Sequence, residues 1–160
     1  MIIWIASYPK SGNTYLRSFL ASYYYSDDGK FEFDQLSQIR QFPNIKFSKS
    51  KMYNPEDASK NWIINQNAFF NKENFYLVKT HNCLYPFKEN QFTSINETLA
   101  AIYIVRDPRN VITSLTHHYS LDYKKAFNHM INEQATLLET SFDKDFSNFT
   151  FLNSWSNHLK

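Results

Sequence analysis

Three short polar segments each follow an apolar run, and each carries residue types that can bind or react with an anion. Residues 8–14 contain Lys10 and Gly12, residues 79–81 contain a lysine and a histidine, and residues 106–114 contain an arginine and a serine. Lysine and arginine neutralise phosphate or sulfate oxygens, and neutral histidine accepts a proton near pH 7. Together the segments predict an anion site with a general base.

The first segment has the composition of an anion-binding loop. Successive backbone N–H groups and a helix N-terminus favour a phosphate, and Gly12, one of only two glycines in the chain, lets the backbone approach closely. The loop is not a Walker A sequence, because Lys10 precedes the glycine, and this weakens the prediction of a site for magnesium and a nucleoside triphosphate. By itself the loop is equally consistent with an ordinary turn that carries a surface lysine.

The second segment places a cation beside a base. Lys79 and His81 are two residues apart, so in an extended chain their side chains point the same way. The set of carboxylates that holds Mg²⁺ is not evident in the sequence, and we predict no metal.

Two further features have a simpler interpretation than chemistry. Adjacent side chains on a helix diverge by about 100°. His117 and His118 are therefore not expected to share a metal, and a place in a cleft wall or on the surface is predicted. Cys83 is predicted to be a small buried thiol rather than a nucleophile.

The segments must be positioned by the apolar runs that precede them. Unbroken apolar runs are typical of parallel strands that are covered on both faces. Three such strands are predicted, over Met1–Ser7, Phe75–Val78 and Ala100–Val105. Helical patterns lie between them, which predicts an α/β fold with a central parallel sheet. Ligands bind such sheets at the carboxyl ends of the strands, where all three polar segments lie.

Two of the predicted helices have clear start signals. Asn54 precedes Pro55, and Asp107 precedes Pro108; in both pairs a capping side chain is followed by a proline suited to the first helical position. Apolar spacing predicts a first helix whose buried face is formed by Leu16, Phe19, Leu20 and Tyr23, and further helices over 55–70, 123–140 and 150–160.

Length and composition exclude several classes of protein. The 160 residues predict a single domain, 1–160, and the net charge of +2 argues against a general nucleic-acid binder. One cysteine excludes a disulfide framework and a cysteine-rich zinc site. The apolar run Ile2–Ala6 is too short for a membrane span or a signal peptide, so we predict a cytoplasmic protein without a membrane partner.

The three polar segments together resemble the cytosolic-type sulfotransferases. Residues 8–16, YPKSGNTYL, resemble the 5′-phosphosulfate loop of that family, which is commonly Y-P-K-S-G-T-T-W. Residues 79–81, KTH, resemble its K-x-H catalytic segment, and residues 103–114, YIVRDPRNVITS, resemble its 3′-phosphate motif. The motifs occur in the family's order and span residues 1 to 120 of the chain.

The resemblance implies a three-layer α/β fold of the P-loop NTPase type. It also implies that the donor is 3′-phosphoadenylyl sulfate (PAPS), that the product nucleotide is PAP and that no metal is needed. The residues that match the nucleotide-binding positions are Lys10, Ser11, Gly12, Asn13, Thr14, Tyr15, Arg106 and Ser114. Among these, Asn13 stands where the family often has threonine and retains a side-chain donor, and Tyr15 stands where a tryptophan often stacks on adenine.

The resemblance also assigns catalytic roles. His81 matches the general base, Lys79 matches the catalytic lysine, and Lys10 matches the lysine at the bridging oxygen. The reaction implied is in-line transfer of a sulfuryl group to a hydroxyl or amine of a small-molecule or glycan-like acceptor. No motif in the loops 26–56 and 82–98 identifies that acceptor.

The chain departs from the family pattern at its end. The later segments of the family, including a basic R-K-G loop on the 3′-phosphate, have no counterpart here, and we expect a C-terminally truncated domain. Two alternatives stay open. One is a kinase-like phosphotransferase that needs ATP and Mg²⁺, and the other is a catalytically silent module that binds PAP or another nucleotide.

Overall fold

A computed structural model describes residues 1–138 and 144–160 of the chain. Its centre is a four-stranded sheet in which every pair of neighbouring strands is parallel. The strands are β1 (Ile2–Ser7), β2 (Arg40–Gln41), β3 (Tyr76–Thr80) and β4 (Thr98–Ile104), in the spatial order β2-β3-β1-β4. The predicted α/β fold with a central parallel sheet is confirmed.

Helices and a small ribbon complete the described structure. The α-helices are α1 (Asn13–Tyr25), α2 (Pro55–Lys60), α3 (Trp62–Phe69), α4 (Pro108–Tyr119), α5 (Tyr123–Ile131) and α6 (Trp155–His158). A two-stranded antiparallel ribbon is formed by β5 (Thr136–Leu137) and β6 (Thr150–Phe151). None of the helices in the described part of the chain has the length and apolarity needed to cross a bilayer.

Strand β1 lies in the middle of the sheet and is covered on both faces, as its unbroken apolar sequence predicts. Ile2 and Trp4 pack into an aromatic cluster on one face, where Trp4 contacts Phe92 at a centroid distance of 5.1 Å. Ile5, on the other face, packs with Ala21 of α1. Each fully buried large apolar side chain stabilises the fold by about 1.5–3 kcal/mol. The loop that follows β1 is therefore attached to a rigid strand.

The third predicted strand forms, but the prediction that it is buried is wrong. Strand β4 pairs with β1 alone among the described residues and stands at the edge of the sheet. Its side chains are largely exposed, including Leu99, Ile102 and Tyr103. Apolar runs alone do not distinguish a covered strand from an edge strand, because the covering elements come from elsewhere in the chain.

The buried face of α1 also differs from the predicted one. Leu16 and Leu20 pack beside the fully buried Ala21, as expected for two of the four residues, but Phe19 and Tyr23 are exposed. The helix turns the side that carries Ala21 to the sheet, and Phe19 and Tyr23, each two residues from Ala21, lie about 200° around the axis from it.

The helix predicted over 55–70 is two helices. Its start is confirmed: Asn54 Oδ1 accepts a hydrogen bond of 2.9 Å from the N–H of Asp57, with Pro55 in the first turn. Asn61 ends α2 and precedes α3, and the backbone N–H of Asn61 bonds to the Ala58 carbonyl at 3.1 Å.

The two predicted helices near the end of the chain are shorter than expected. Helix α5 ends at Ile131 instead of continuing to residue 140; β5 follows it, and residues 139–143 lie outside the described part. The region 150–160 begins with β6 and only then forms the four-residue α6. The N–H of Leu152 bonds to the carbonyl of Ala135 at 2.9 Å, so a backbone contact between distant residues replaces the helical pattern.

Candidate active site

The carboxyl ends of β1, β3 and β4 meet at one edge of the sheet because the strands are parallel. A cavity of about 390 Å³ opens at this edge. Eight of the predicted site residues line it: Lys10, Gly12, Asn13, Thr14, Lys79, His81, Arg106 and Ser114. Among the described residues that line this cavity, none is aspartate or glutamate, so its charge is suited to an anion.

Two predicted site residues have side chains elsewhere. Ser11 is buried, and Tyr15 is 83 % exposed. Neither side chain lines the cavity. The backbone N–H of each can still contribute to the anion loop, whereas stacking of Tyr15 on an adenine stays a prediction.

No described side chain caps the start of α1, which follows the loop after β1. Gly12 is the N-cap residue and has a left-handed backbone, with φ of 101°. The first N–H groups of a helix have no carbonyl partner within it, so those of Asn13, Thr14 and Tyr15 are available to a ligand. A helix start of this kind, with a lysine in the same loop, forms a binding site for a phosphate or sulfate group.

The side chain of Asn13 does not serve as the donor that the sequence suggests. Its Nδ2 donates to the carbonyl of Ile5 at 2.9 Å and to Oγ of Ser7 at 3.2 Å. The side chain is buried, so only the backbone N–H of Asn13 remains for an anion. Asn13 instead ties the anion loop to the strand that precedes it.

The hydrogen bonds of His81 fix which of its ring nitrogens carries the proton. Nδ1 lies 2.7 Å from the carbonyl oxygen of Ser7, which can only accept, so Nδ1 is the protonated nitrogen in the neutral ring. Nε2 has no hydrogen-bond partner among the described residues. Burial, and then the positive charge of Lys79, lower the pKa of His81 to about 3. At neutral pH His81 is therefore uncharged, with a bare Nε2.

A second buried histidine supports the His81 segment. Nε2 of His158 donates to the backbone carbonyl of His81 at 2.9 Å, and Nδ1 of His158 accepts from the Tyr103 hydroxyl at 2.5 Å. Burial lowers the pKa of His158, which keeps it neutral. No sequence signal reveals this hydrogen bond, because α6 has only four residues.

Two of the cationic side chains in the cavity wall, Lys79 and Arg106, have different partners. Nζ of Lys79 donates to Oε1 of Gln41 at 2.8 Å, across neighbouring strands. Nη1 of Arg106 donates to the carbonyl of Lys10 at 2.9 Å and so joins the loop after β1 to the end of β4. A guanidinium has five donors, which leaves most of Arg106 available to an anion.

Several lining residues have no signal in the sequence. Gln41 belongs to the two-residue strand β2, and the ribbon strands β5 and β6 are equally short. Two residues are too few to show the alternation or the apolar run that predicts a strand. His118 is in the cavity wall, one of the two places predicted for it. The further lining residues are Pro9, Gln41, Tyr119, Leu137, Asn148 and Thr150.

One other sequence prediction, on Cys83, can be compared with the structure. Cys83 is buried, as predicted. Within residues 1–138 and 144–160, no group of three or more histidine, cysteine, aspartate or glutamate side chains is arranged to hold a metal ion.

Comparison with known proteins extends the similarity beyond the three motifs. The family described as "Sulfotransferase domain" matches residues 2–160, which is nearly the whole chain. No curated protein matches the chain. The family match covers the anion loop, the segment of His81 and the segment of Arg106, in the same α/β architecture. The chain belongs to the sulfotransferase domain family.

Proposed function

We propose that this protein transfers a sulfuryl group from PAPS to an acceptor hydroxyl or amine, with His81 as the general base. The observation that carries the proposal is the cavity at the sheet edge. Three separate strands bring Lys10, then Lys79 with His81, and then Arg106 to its walls. Cations, uncapped helical N–H groups and a neutral base are the groups that transfer of an anionic moiety requires.

The residues present suit a nucleotide with phosphate groups at two positions. The N–H groups at the start of α1 and Lys10 would hold the 5′-phosphosulfate end. Arg106 and Ser114, which lie on the other side of the anion loop from His81, would hold the 3′-phosphate. PAPS, when bound, supplies a sulfuryl group on a phosphate that leaves readily.

The proposed reaction forms one bond and breaks one. The acceptor oxygen (or nitrogen) bonds to sulfur, while the bond between sulfur and the 5′-phosphate oxygen breaks and its electron pair stays on that oxygen in PAP. The acceptor proton passes to Nε2 of His81. Lys10 and Lys79 stabilise the negative charge that develops on the leaving oxygen.

The state of His81 supports its role as a base. A base must be unprotonated before it acts, and burial together with Lys79 keeps His81 neutral at physiological pH. A strongly lowered pKa also makes a weak base. The negative charge of a bound donor opposes that of Lys79, the second cause of the lowered pKa of His81, and so strengthens the base when the donor is in place.

The proposal is tested by separating binding from turnover. His81→Ala is expected to bind PAP as tightly as the unaltered chain and to form no PAP from PAPS with a panel of hydroxyl acceptors. His117→Ala is the matched control, since His117 is exposed on α4 and does not line the cavity. If His81→Ala turns over at the unaltered rate, another group is the base.

A further inference from the structure

We propose that Gln41 and Asn148 form the acceptor-recognition wall of the cavity, and that they select an uncharged or anionic acceptor rich in oxygen atoms, of the saccharide type. This proposal rests on the proposed function, because it concerns the molecule that receives the sulfuryl group. It assigns a role to the part of the cavity that the nucleotide motifs do not occupy.

The order of the strands separates the two sides of the cavity. Along the carboxyl edge of the sheet, Arg106 follows β4, the anion loop follows β1, His81 follows β3, and Gln41 ends β2. Gln41 is therefore on the side of His81 away from Arg106. Asn148 belongs to the same side, since its Oδ1 accepts a hydrogen bond of 2.7 Å from the N–H of Ile45, shortly after β2.

The hydrogen bonds also fix which end of each amide is already occupied. The carbonyl oxygen of Gln41 accepts from Nζ of Lys79 at 2.8 Å, and that of Asn148 accepts from the Ile45 N–H. Both partners are donors, so neither amide can be reversed without losing its bond. Nε2 of Gln41 and Nδ2 of Asn148 have no hydrogen-bond partner among the described residues. Each residue therefore offers an NH₂ donor to whatever enters this side of the cavity.

Two fixed donors beside the base favour acceptors with oxygen atoms next to the reacting hydroxyl. A saccharide has such neighbouring hydroxyl oxygens, whereas a simple phenol has one oxygen and needs apolar or aromatic walls. Leu137 and Tyr119 are the large apolar or aromatic side chains among the described lining residues, and Thr150 adds another polar group. No described lining residue is an acid that could pair with a cationic amine, so the saccharide fits best.

The first test measures acceptor binding to the chain saturated with PAP. Binding of PAP is established beforehand by calorimetry. Maltose, 2-naphthol and cyclohexylamine are then titrated while the side-chain NH₂ signals of Gln41 and Asn148 are followed by NMR. Maltose is expected to bind and to shift both signals. Preferential binding of 2-naphthol or cyclohexylamine, or no maltose binding to a chain that does bind PAP, overturns the acceptor assignment and leaves the nucleotide proposal intact. If PAP does not bind, the proposed function fails and this inference fails with it.

The second test exchanges the donor for an acceptor at each position. Asn148→Asp and Gln41→Glu keep the oxygen that holds Ile45 or Lys79 and replace the NH₂ with a second oxygen. Each change is expected to weaken maltose binding about 3- to 10-fold and to increase binding of cyclohexylamine. Asn96→Asp, at an exposed position outside the cavity, is the control for the added charge. Equal maltose binding by all three variants contradicts the proposal.

Discussion

Replacement of His158 by leucine tests how the segment of the proposed base is held. His158 donates from Nε2 to the carbonyl of His81 at 2.9 Å and accepts from the hydroxyl of Tyr103 at 2.5 Å. Leucine has similar bulk but neither a donor nor an acceptor. The change therefore leaves the carbonyl of His81 without its partner in a buried setting, and it also removes the partner of Tyr103.

The expected cost follows from these two groups. A buried polar group that loses its partner destabilises a protein by about 1–3 kcal/mol. Tyr103 lies on the edge strand and is 36 % exposed, so we assign most of the loss to the carbonyl. We expect His158→Leu to lower the free energy of unfolding by about 1–3 kcal/mol, or the Tm by about 2–4 °C for each kcal/mol.

Urea denaturation measures this loss, and NMR of the ring nitrogens of His81 reports whether Nδ1 still carries the proton. His158→Gln is the matched variant, because its amide nitrogen can reach the same carbonyl, and it should recover at least half of the lost stability. If leucine and glutamine are equally destabilising, the loss comes from packing of the ring. If neither is destabilising, the hydrogen bond to the His81 carbonyl does not stabilise the fold.

Three other predictions concern the anion loop and pH. Lys10→Ala and Arg106→Ala should each weaken PAP binding by about 1.5–3 kcal/mol, because each removes a charge-assisted contact. If calorimetry shows that both variants bind PAP as tightly as the unaltered chain, the nucleotide binds elsewhere. Gly12→Ala should lower the free energy of unfolding, measured by urea denaturation, by about 1–2 kcal/mol, because alanine is strained at a φ of 101°. An added Cβ meets no atom within 4 Å, so the cost comes from the backbone and not from a clash. An unchanged midpoint would exclude a left-handed residue at this position. The native state lowers the pKa of His81 to about 3 and lowers that of His158, so the unfolded chain binds more protons below the ordinary histidine pKa. Stability should therefore be complete above about pH 6.5 and fall as the pH drops toward 3, and a Tm that stays constant or rises between pH 6.5 and 4 would show that these rings are not buried as neutral groups.

The parts of the fold that local chemistry determines could be predicted from the sequence. An unbroken apolar run identified β1, and the capping side chain of Asp107 followed by Pro108 identified the start of α4, where Asp107 Oδ1 accepts from the N–H of Arg109 at 2.9 Å. Lys79 and His81 could be placed at a strand end because they directly follow a short apolar run. Their spacing of two could be read as one cation beside one base.

The parts that depend on distant contacts could not be predicted. The apolar sequence of β4 does not reveal that its faces are exposed, because exposure depends on what other segments cover. Gln41 and Asn148 reach the cavity through a two-residue strand and a turn, neither of which has a pattern of its own. Likewise, the side-chain donor of Asn13 is taken by Ile5 and Ser7, a competition that only the packed structure shows.

Calorimetric titration of the chain with PAP, and separately with ATP and Mg²⁺, tests most directly whether the cavity at the sheet edge binds the sulfotransferase nucleotide. In the anion loop Lys10 precedes Gly12, so the loop has no lysine at the place where a Walker A sequence has it. Arg106 and Ser114 offer a second phosphate site. We therefore expect PAP to bind at least tenfold more tightly than ATP with Mg²⁺, a difference of about 1.4 kcal/mol or more. Tighter binding of ATP with Mg²⁺ would favour a phosphotransferase, and no binding of either nucleotide would contradict the assignment of this cavity.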